Sequence, residues 1–168
     1  MSTIGFDTSN YTTSTAWTDG KTDINVRQIL YVKDGERGIR QSDGVFQHMK
    51  LMPVMYEKLS EQIDFKDVKA VGVSTRPRCV EGSYMPVFLA GEGYAKVVAN
   101  TLGVPLYEFS HQDGHIMAGI YSSGSFELLE NDFISVHLSG GTTEILKSRY
   151  NEFNFDNEII GGSKDISA

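Results

Sequence analysis

The chain is 168 residues long, with 40% hydrophobic and 22% charged residues, four prolines and one cysteine. That composition describes a globular fold with an apolar core and excludes disordered, collagen-like and coiled-coil chains; no apolar run approaches the ~18 residues of a membrane-spanning helix. Fifteen Lys and Arg against twenty-two Asp and Glu leave a net charge of −7, too acidic for a chain that grips nucleic acid unaided, because phosphate contacts dominate such affinity.

Taken in chain order, residues 3–9 alternate into a turn, residues 12–18 follow, and Asp19-Gly20 is a hairpin signal before Ile24 to Val32. Three strands with short turns predict an antiparallel meander. The period then changes. Val45, Met49, Met52, Tyr56, Leu59 and Ile63 form an apolar stripe at helical spacing, with Asp43 as its N-cap, Pro53 as a kink and His48 on the polar, outward side. Met49, Met52 and Met55 are expected in the core. Val68 to Val73 predicts a strand buried on both faces, Ser83 to Leu102 a helix closed by Gly103, Leu106 to Phe109 a strand, and Ser110 to Tyr121 a helix. The resulting βββαβαβα order is that of a ribonuclease-H-like α/β lobe with a mixed sheet. After Ser122-Ser123-Gly124-Ser125, strands resume over 133–138 and 142–147, with a third stretch near 153–160. The expectation is therefore a first lobe over residues 1–124, and over 125–168 the opening of a similar, incomplete second lobe.

Four groups of residues could carry chemistry. Asp7-Thr8-Ser9, at the end of the first strand, could hold hydrated Mg²⁺ or face phosphate oxygens, or could form an ordinary Asx turn. Ser139-Gly140-Gly141-Thr142 could let backbone N–H groups approach a ligand, or could be a plain Gly-Gly hairpin. His111 and His115, at i and i+4, place two imidazoles on one helix face, a spacing that suits one metal ion as well as a capping and a surface histidine. His137 offers a third ligand or a paired strand histidine. Cys79, beside Arg78 and with no histidine neighbour in sequence, reads as a spectator thiol; a lone cysteine also fits a reducing cytoplasm, as does an N-terminus without a secretory pattern.

Together Ile4-Gly5-Phe6-Asp7-Thr8-Ser9, Ala95-Lys96, Leu102-Gly103-Val104-Pro105-Leu106, Ser110-His111-Gln112-Asp113-Gly114-His115 and Leu138-Ser139-Gly140-Gly141-Thr142-Thr143 resemble the tRNA threonylcarbamoyladenosine transferase family (TsaD, formerly described as a glycoprotease), whose fold belongs to the actin-like ATPase superfamily. The resemblance implies transfer of a threonylcarbamoyl or similar group from an adenylate to a tRNA adenosine amine. It implies iron or zinc at His111 and His115, with His137 at the place of a tyrosine ligand, and nucleotide or substrate contacts from Asp7, Thr8, Ser9, Ser139, Gly140, Gly141 and Thr142. It also implies partner proteins of the tRNA-modification machinery that help to hold tRNA. Departures at Thr12, at Arg76-Pro77-Arg78-Cys79, at Thr142 and at Glu144 mark a diverged paralog. Two rival expectations are an ATP- and Mg²⁺-dependent sugar or acid kinase of the same superfamily, and a non-catalytic lobe that forms homodimers. A metalloprotease is the weakest reading, because no general base accompanies the histidines.

Overall fold

The computed structural model describes residues 1–36, 38–138 and 142–164, with the backbone alone at 142 and 164. The chain divides into two compact units. Unit one is Met1–Pro77 with Gly82–His111, and unit two is Arg78–Glu81 with Gln112–Ala168. Contacts thus assign most of the third helix to unit two; a lobe boundary after residue 124, which a structural repeat would imply, is a separate proposal. Among the described residues no helix is long and apolar enough to cross a membrane.

Unit one contains β1 (Ser2–Asp7), β2 (Thr12–Thr18), β3 (Asp23–Ile29), α1 (Gln41–Ser60), β4 (Val68–Arg76), α2 (Phe88–Leu102) and β5 (Leu106–Ser110). The meander expected from the sequence is present. β1 pairs antiparallel with β2 and β2 with β3, while β4 pairs parallel with β1 and β5 parallel with β4, in the order β3-β2-β1-β4-β5. The Asp19-Gly20 turn works through Asp19 Oδ1, which accepts the backbone N–H groups of Lys21 and Thr22, and through Gly20, whose φ of 85° a side chain would disfavour. Alternation in β1 turns Ile4 and Phe6 into a core shared with Val71 and Val73 of β4, Met52 and Leu59 of α1, and Ala95 and Ala99 of α2. Each large apolar side chain so buried contributes about 1.5–3 kcal/mol.

The helices depart from expectation in instructive ways. α1 buries Gly44, His48, Met52, Met55 and Leu59, so the real stripe is rotated from the expected one. Met49 is exposed, and His48, expected on the outward side, is completely buried. Two local facts cause the rotation. Gly44 lets α1 come so close that a Cβ there would lie 2.8 Å from Val87 Cγ1, and Thr13 gives the buried imidazole a hydrogen bond. Asp43 is not the N-cap; that position is Arg40, which makes no side-chain cap, and Asp43 lies in the first turn, where its charge favours the helix dipole. Pro53 sits inside α1 without ending it. Its missing N–H leaves the Met49 carbonyl without an i+4 donor, and the Tyr94 hydroxyl donates to that carbonyl at 3.0 Å instead. α2 starts at Phe88 rather than Ser83, because Gly82 holds a φ of 75° and Pro86 disfavours helical backbone at the residue before it. Its end is as expected: Gly103 is left-handed and its N–H returns to the last turn.

Unit two contains most of α3 (His111–Ser123), β6 (Phe133–Leu138), β7 (Thr142–Asn151) and β8 (Asn154–Lys164). The three strands form a second antiparallel meander in the order β6-β7-β8. β7 and β8 run longer than their apolar residues suggest, because cross-strand pairs such as Tyr150 with Phe155 carry the ladder up to a tight turn where Glu152 takes a φ of 54°. Gly162 in β8 is required by packing: a Cβ there would lie 2.5 Å from the Thr143 carbonyl oxygen. Leu146, Ser148 and Phe155 are buried on the inner face.

Candidate functional site

In unit one the end of β1 is a dense polar node. Asp7 Oδ1 accepts the Ser9 N–H at 2.8 Å and the Ser9 hydroxyl at 2.5 Å, and Oδ2 accepts the His111 Nδ1 proton at 2.9 Å. Burial pushes the Asp7 carboxyl up, but His111, through its hydrogen bond and charge, together with hydrogen bonds from Ser9 and Ser74, outweighs this and holds its pKa at about 2. A carboxylate on Nδ1 orients the ring and, in the neutral imidazole, places the proton on Nδ1 and the lone pair on Nε2, the usual support for a histidine that ligates a metal. Thr8 is fully buried, and its hydroxyl donates to the Val87 carbonyl at 2.8 Å and accepts from the Gly91 N–H at 3.0 Å. Its side chain thereby ties the β1 loop to the start of α2.

Beneath this loop lies a residue that the pattern in the sequence misplaced. His48 is joined to Thr13 Oγ1 by a 2.7 Å hydrogen bond, and both residues are completely buried. Burial lowers the His48 pKa; the Asn10 backbone and the charge of Asp7 offset only part of that.

In unit two the rings of His115 and His137 lie 5.7 Å apart between centroids. His137 Nδ1 is buried and has no hydrogen-bond partner among the described residues; it stands 3.8 Å from Glu144 Oε2, opposite which it pairs in the β6–β7 ladder. Glu144 is itself buried, with Arg78 Nη1 2.9 Å from Oε1 and the Gln112 side-chain amide donating to Oε2 at 3.0 Å. Asp113, one turn before Met117 on α3, is buried and accepts from Asn157 of β8 at 3.0 Å. A cavity of about 280 Å³ lined by His115, Ile116, Ile120, Phe133, Val136 and His137 runs between α3 and β6.

The expected residues thus gather into two clusters, Asp7 with Ser9 and His111 in unit one, and His115 with His137 in unit two. Ser139, Gly140 and Gly141 lie outside the described residues, and Thr142 opens β7. Cys79 is exposed. The sequence singled out neither Gln112 nor Glu144 as site residues; only the β6–β7 register and the helix turn bring them to His137. The donor chemistry fits a transition metal in one respect, since His137 carries an orphaned buried nitrogen beside a second imidazole. Among the described residues, no three His, Cys, Asp or Glu side chains stand close enough together to hold an ion.

Strand order, the parallel β1-β4-β5 arrangement and a second antiparallel meander define the class: a mixed α/β fold with a five-stranded mixed sheet and a separate three-stranded antiparallel sheet. YeaZ from Pseudomonas aeruginosa shares the fold with a TM-score of 0.53 at 11% identity, over 97% of this chain and 66% of that one. The family model of the tRNA N6-adenosine threonylcarbamoyltransferase TsaD matches residues 35–165, and the chain belongs to that family. It is 32% identical to the tRNA N6-adenosine threonylcarbamoyltransferase of Christiangramia forsetii over 68% of this chain and 32% of that protein. The corresponding figures for the enzyme of Pyrobaculum calidifontis are 28% identity over 98% and 48%. The chain therefore spans between a third and a half of the length of these relatives.

Proposed function

We propose that the protein acts in transfer of a threonylcarbamoyl or similar carbamoyl group from an adenylate to an adenosine amine of tRNA. The family match over residues 35–165 carries this reading, because it encloses the His111–His115 block and the strand of His137. His111, His115 and His137 would hold iron or zinc. Such an ion, when bound, supplies a Lewis acid for a carbonyl oxygen. Asp7 would keep the His111 imidazole oriented, a role supported by its hydrogen bonds to both His111 and Ser9. Ser9 and the 139–142 segment would face the adenylate phosphate, with Mg²⁺ as its natural counterion, and backbone N–H groups there would stabilise developing negative charge. The net charge of −7 argues that partner proteins supply most of the contacts to tRNA, in the cytoplasm where tRNA is modified.

Elemental analysis of the purified protein tests the metal: iron or zinc near one equivalent in the wild type, lost in His111→Ala/His115→Ala, is the expected result, and a metal-free wild type overturns it. Mass spectrometry of nucleosides from tRNA, incubated with the protein, its partners and the adenylate donor, tests the transfer. Formation of threonylcarbamoyladenosine is expected of the full-length protein and not of these 168 residues alone, and its absence with loaded full-length protein sinks the reading.

A further inference from the structure

Unit two holds a charge pair for which the transfer reading has no use. The Glu144 side chain is 9% exposed, whereas Arg78, whose Nη1 it meets at 2.9 Å, is 35% exposed. The carboxylate is thus inside and the guanidinium reaches the surface. Arg78 lies in a short stretch of bends, outside any helix or strand, so its side chain is the more easily redirected partner. A buried pair of this kind gains little net stability, because desolvation offsets most of the attraction. Removing one partner is normally costly, since it strands the other's charge. Glu144 is protected from part of that penalty, because the Gln112 side-chain amide already donates to its Oε2 at 3.0 Å.

We propose that Arg78 and Glu144 form an exchangeable oxyanion receptor. An incoming phosphate or carboxylate group takes the guanidinium, whose planar fork fits either group in bidentate fashion. Glu144 stays on Gln112. The pair then acts as an internal competitor that sets affinity for an anionic ligand, and Arg78 is its specificity-determining residue. Only the identity of the ligand, the anionic part of an acyl-adenylate, rests on the transfer reading; the exchange itself does not.

Isothermal titration of the full chain with inorganic phosphate, AMP, acetate and threonine tests this. Glu144→Gln keeps the shape and the neighbours while removing the competing charge, and is expected to bind phosphate and AMP about tenfold more tightly than the wild type. Arg78→Ala is expected to abolish that binding, and Arg78→Lys to weaken it about tenfold by losing the fork. A Glu144→Gln protein that binds no better than the wild type overturns the proposal, as does wild-type affinity in folded Arg78→Ala. Should Arg78→Ala fail to fold by circular dichroism, Arg78→Lys decides, and wild-type affinity there overturns the proposal equally. Tightening for phosphate and AMP alone assigns a phosphate ligand; tightening for acetate and threonine alone assigns a carboxylate; no tightening for any probe overturns both. None of these readouts depends on metal content or on tRNA modification, so the transfer reading and the exchange can fail separately.

Discussion

The two units begin alike and bury their apolar residues differently. Each opens with a three-stranded antiparallel meander, β1-β2-β3 and β6-β7-β8. In unit one the first strand is flanked by β4 and its apolar residues enter a core; Ile4 and Phe6 are almost wholly buried. The buried threonines near them are committed to fixed partners, Thr8 to Val87 and Gly91, Thr13 to His48 and Thr15 to the Gly5 carbonyl. In unit two the corresponding strand β6 exposes Ile134, Val136 and Leu138. The inward polar residues of this meander include His137 on β6, whose Nδ1 has no hydrogen bond among the described residues, and on β7 the Glu144 carboxylate shared between Arg78 and Gln112. Both units leave buried polar atoms without a hydrogen bond among the described residues, Ser2 Oγ, Trp17 Nε1 and His48 Nε2 in unit one and His137 Nδ1 and Asn154 Oδ1 in unit two. The contrast lies in the apolar residues, which unit one gathers into a core and unit two leaves exposed along β6.

That contrast can be broken most forcefully in the core. Leu59, with no exposed surface, touches the heart of unit one, so Leu59→Ala should cost about 2–5 kcal/mol in a urea titration. Leu146→Ala, equally buried in unit two, should cost less; an equal loss would remove the distinction between the two cores. Next in size is Gly162→Ala. The new Cβ meets the Thr143 carbonyl oxygen at 2.5 Å, and the β7–β8 ladder must shift at a cost of about 1–3 kcal/mol, visible as lost amide protection in β8 by hydrogen exchange.

A comparable test in unit one is Thr13→Val, which strands the buried His48 Nδ1 and should cost about 1–3 kcal/mol by thermal melting. The same histidine sets a pH dependence with a definite sign. Burial holds its native pKa below the ordinary imidazole value of 6.5, so as pH falls through 6.5 the unfolded chain takes up the proton first and stability declines. Urea midpoints at pH 7.5 and 5.5 should show that decline in the wild type and a weaker one in His48→Leu; an unchanged slope would mean that His48 is not the group responsible. The smallest effect is expected from Tyr94→Phe, which removes the donor at the Pro53 gap in α1 and should cost about 0.5–1.5 kcal/mol.

Much of this architecture is legible from short-range chemistry. Asp19-Gly20 forms its turn through the Asp side chain and a positive φ, and Gly103 ends α2 for the same backbone reason. Both need only their neighbours in the chain. His48 shows where such reading stops. On a helical wheel it belongs with the polar residues, and only a threonine 35 positions earlier makes its burial possible. Glu144 illustrates the same limit from the other side: as a lone acidic residue on a strand it carries no signal until the ladder places it opposite His137 and a bend brings Arg78 to it.

The sequence by itself determined the order of strands and helices, the class of lobe, and the histidine spacing, because periodicity, turn chemistry and i,i+4 geometry act within a few residues. Only the tertiary structure decided which face of α1 is inside, that Asp7 serves His111, and that Arg78 and Glu144 meet. Those outcomes depend on groups far apart in the chain, whose burial is tolerable only when a distant partner completes the hydrogen bond or balances the charge.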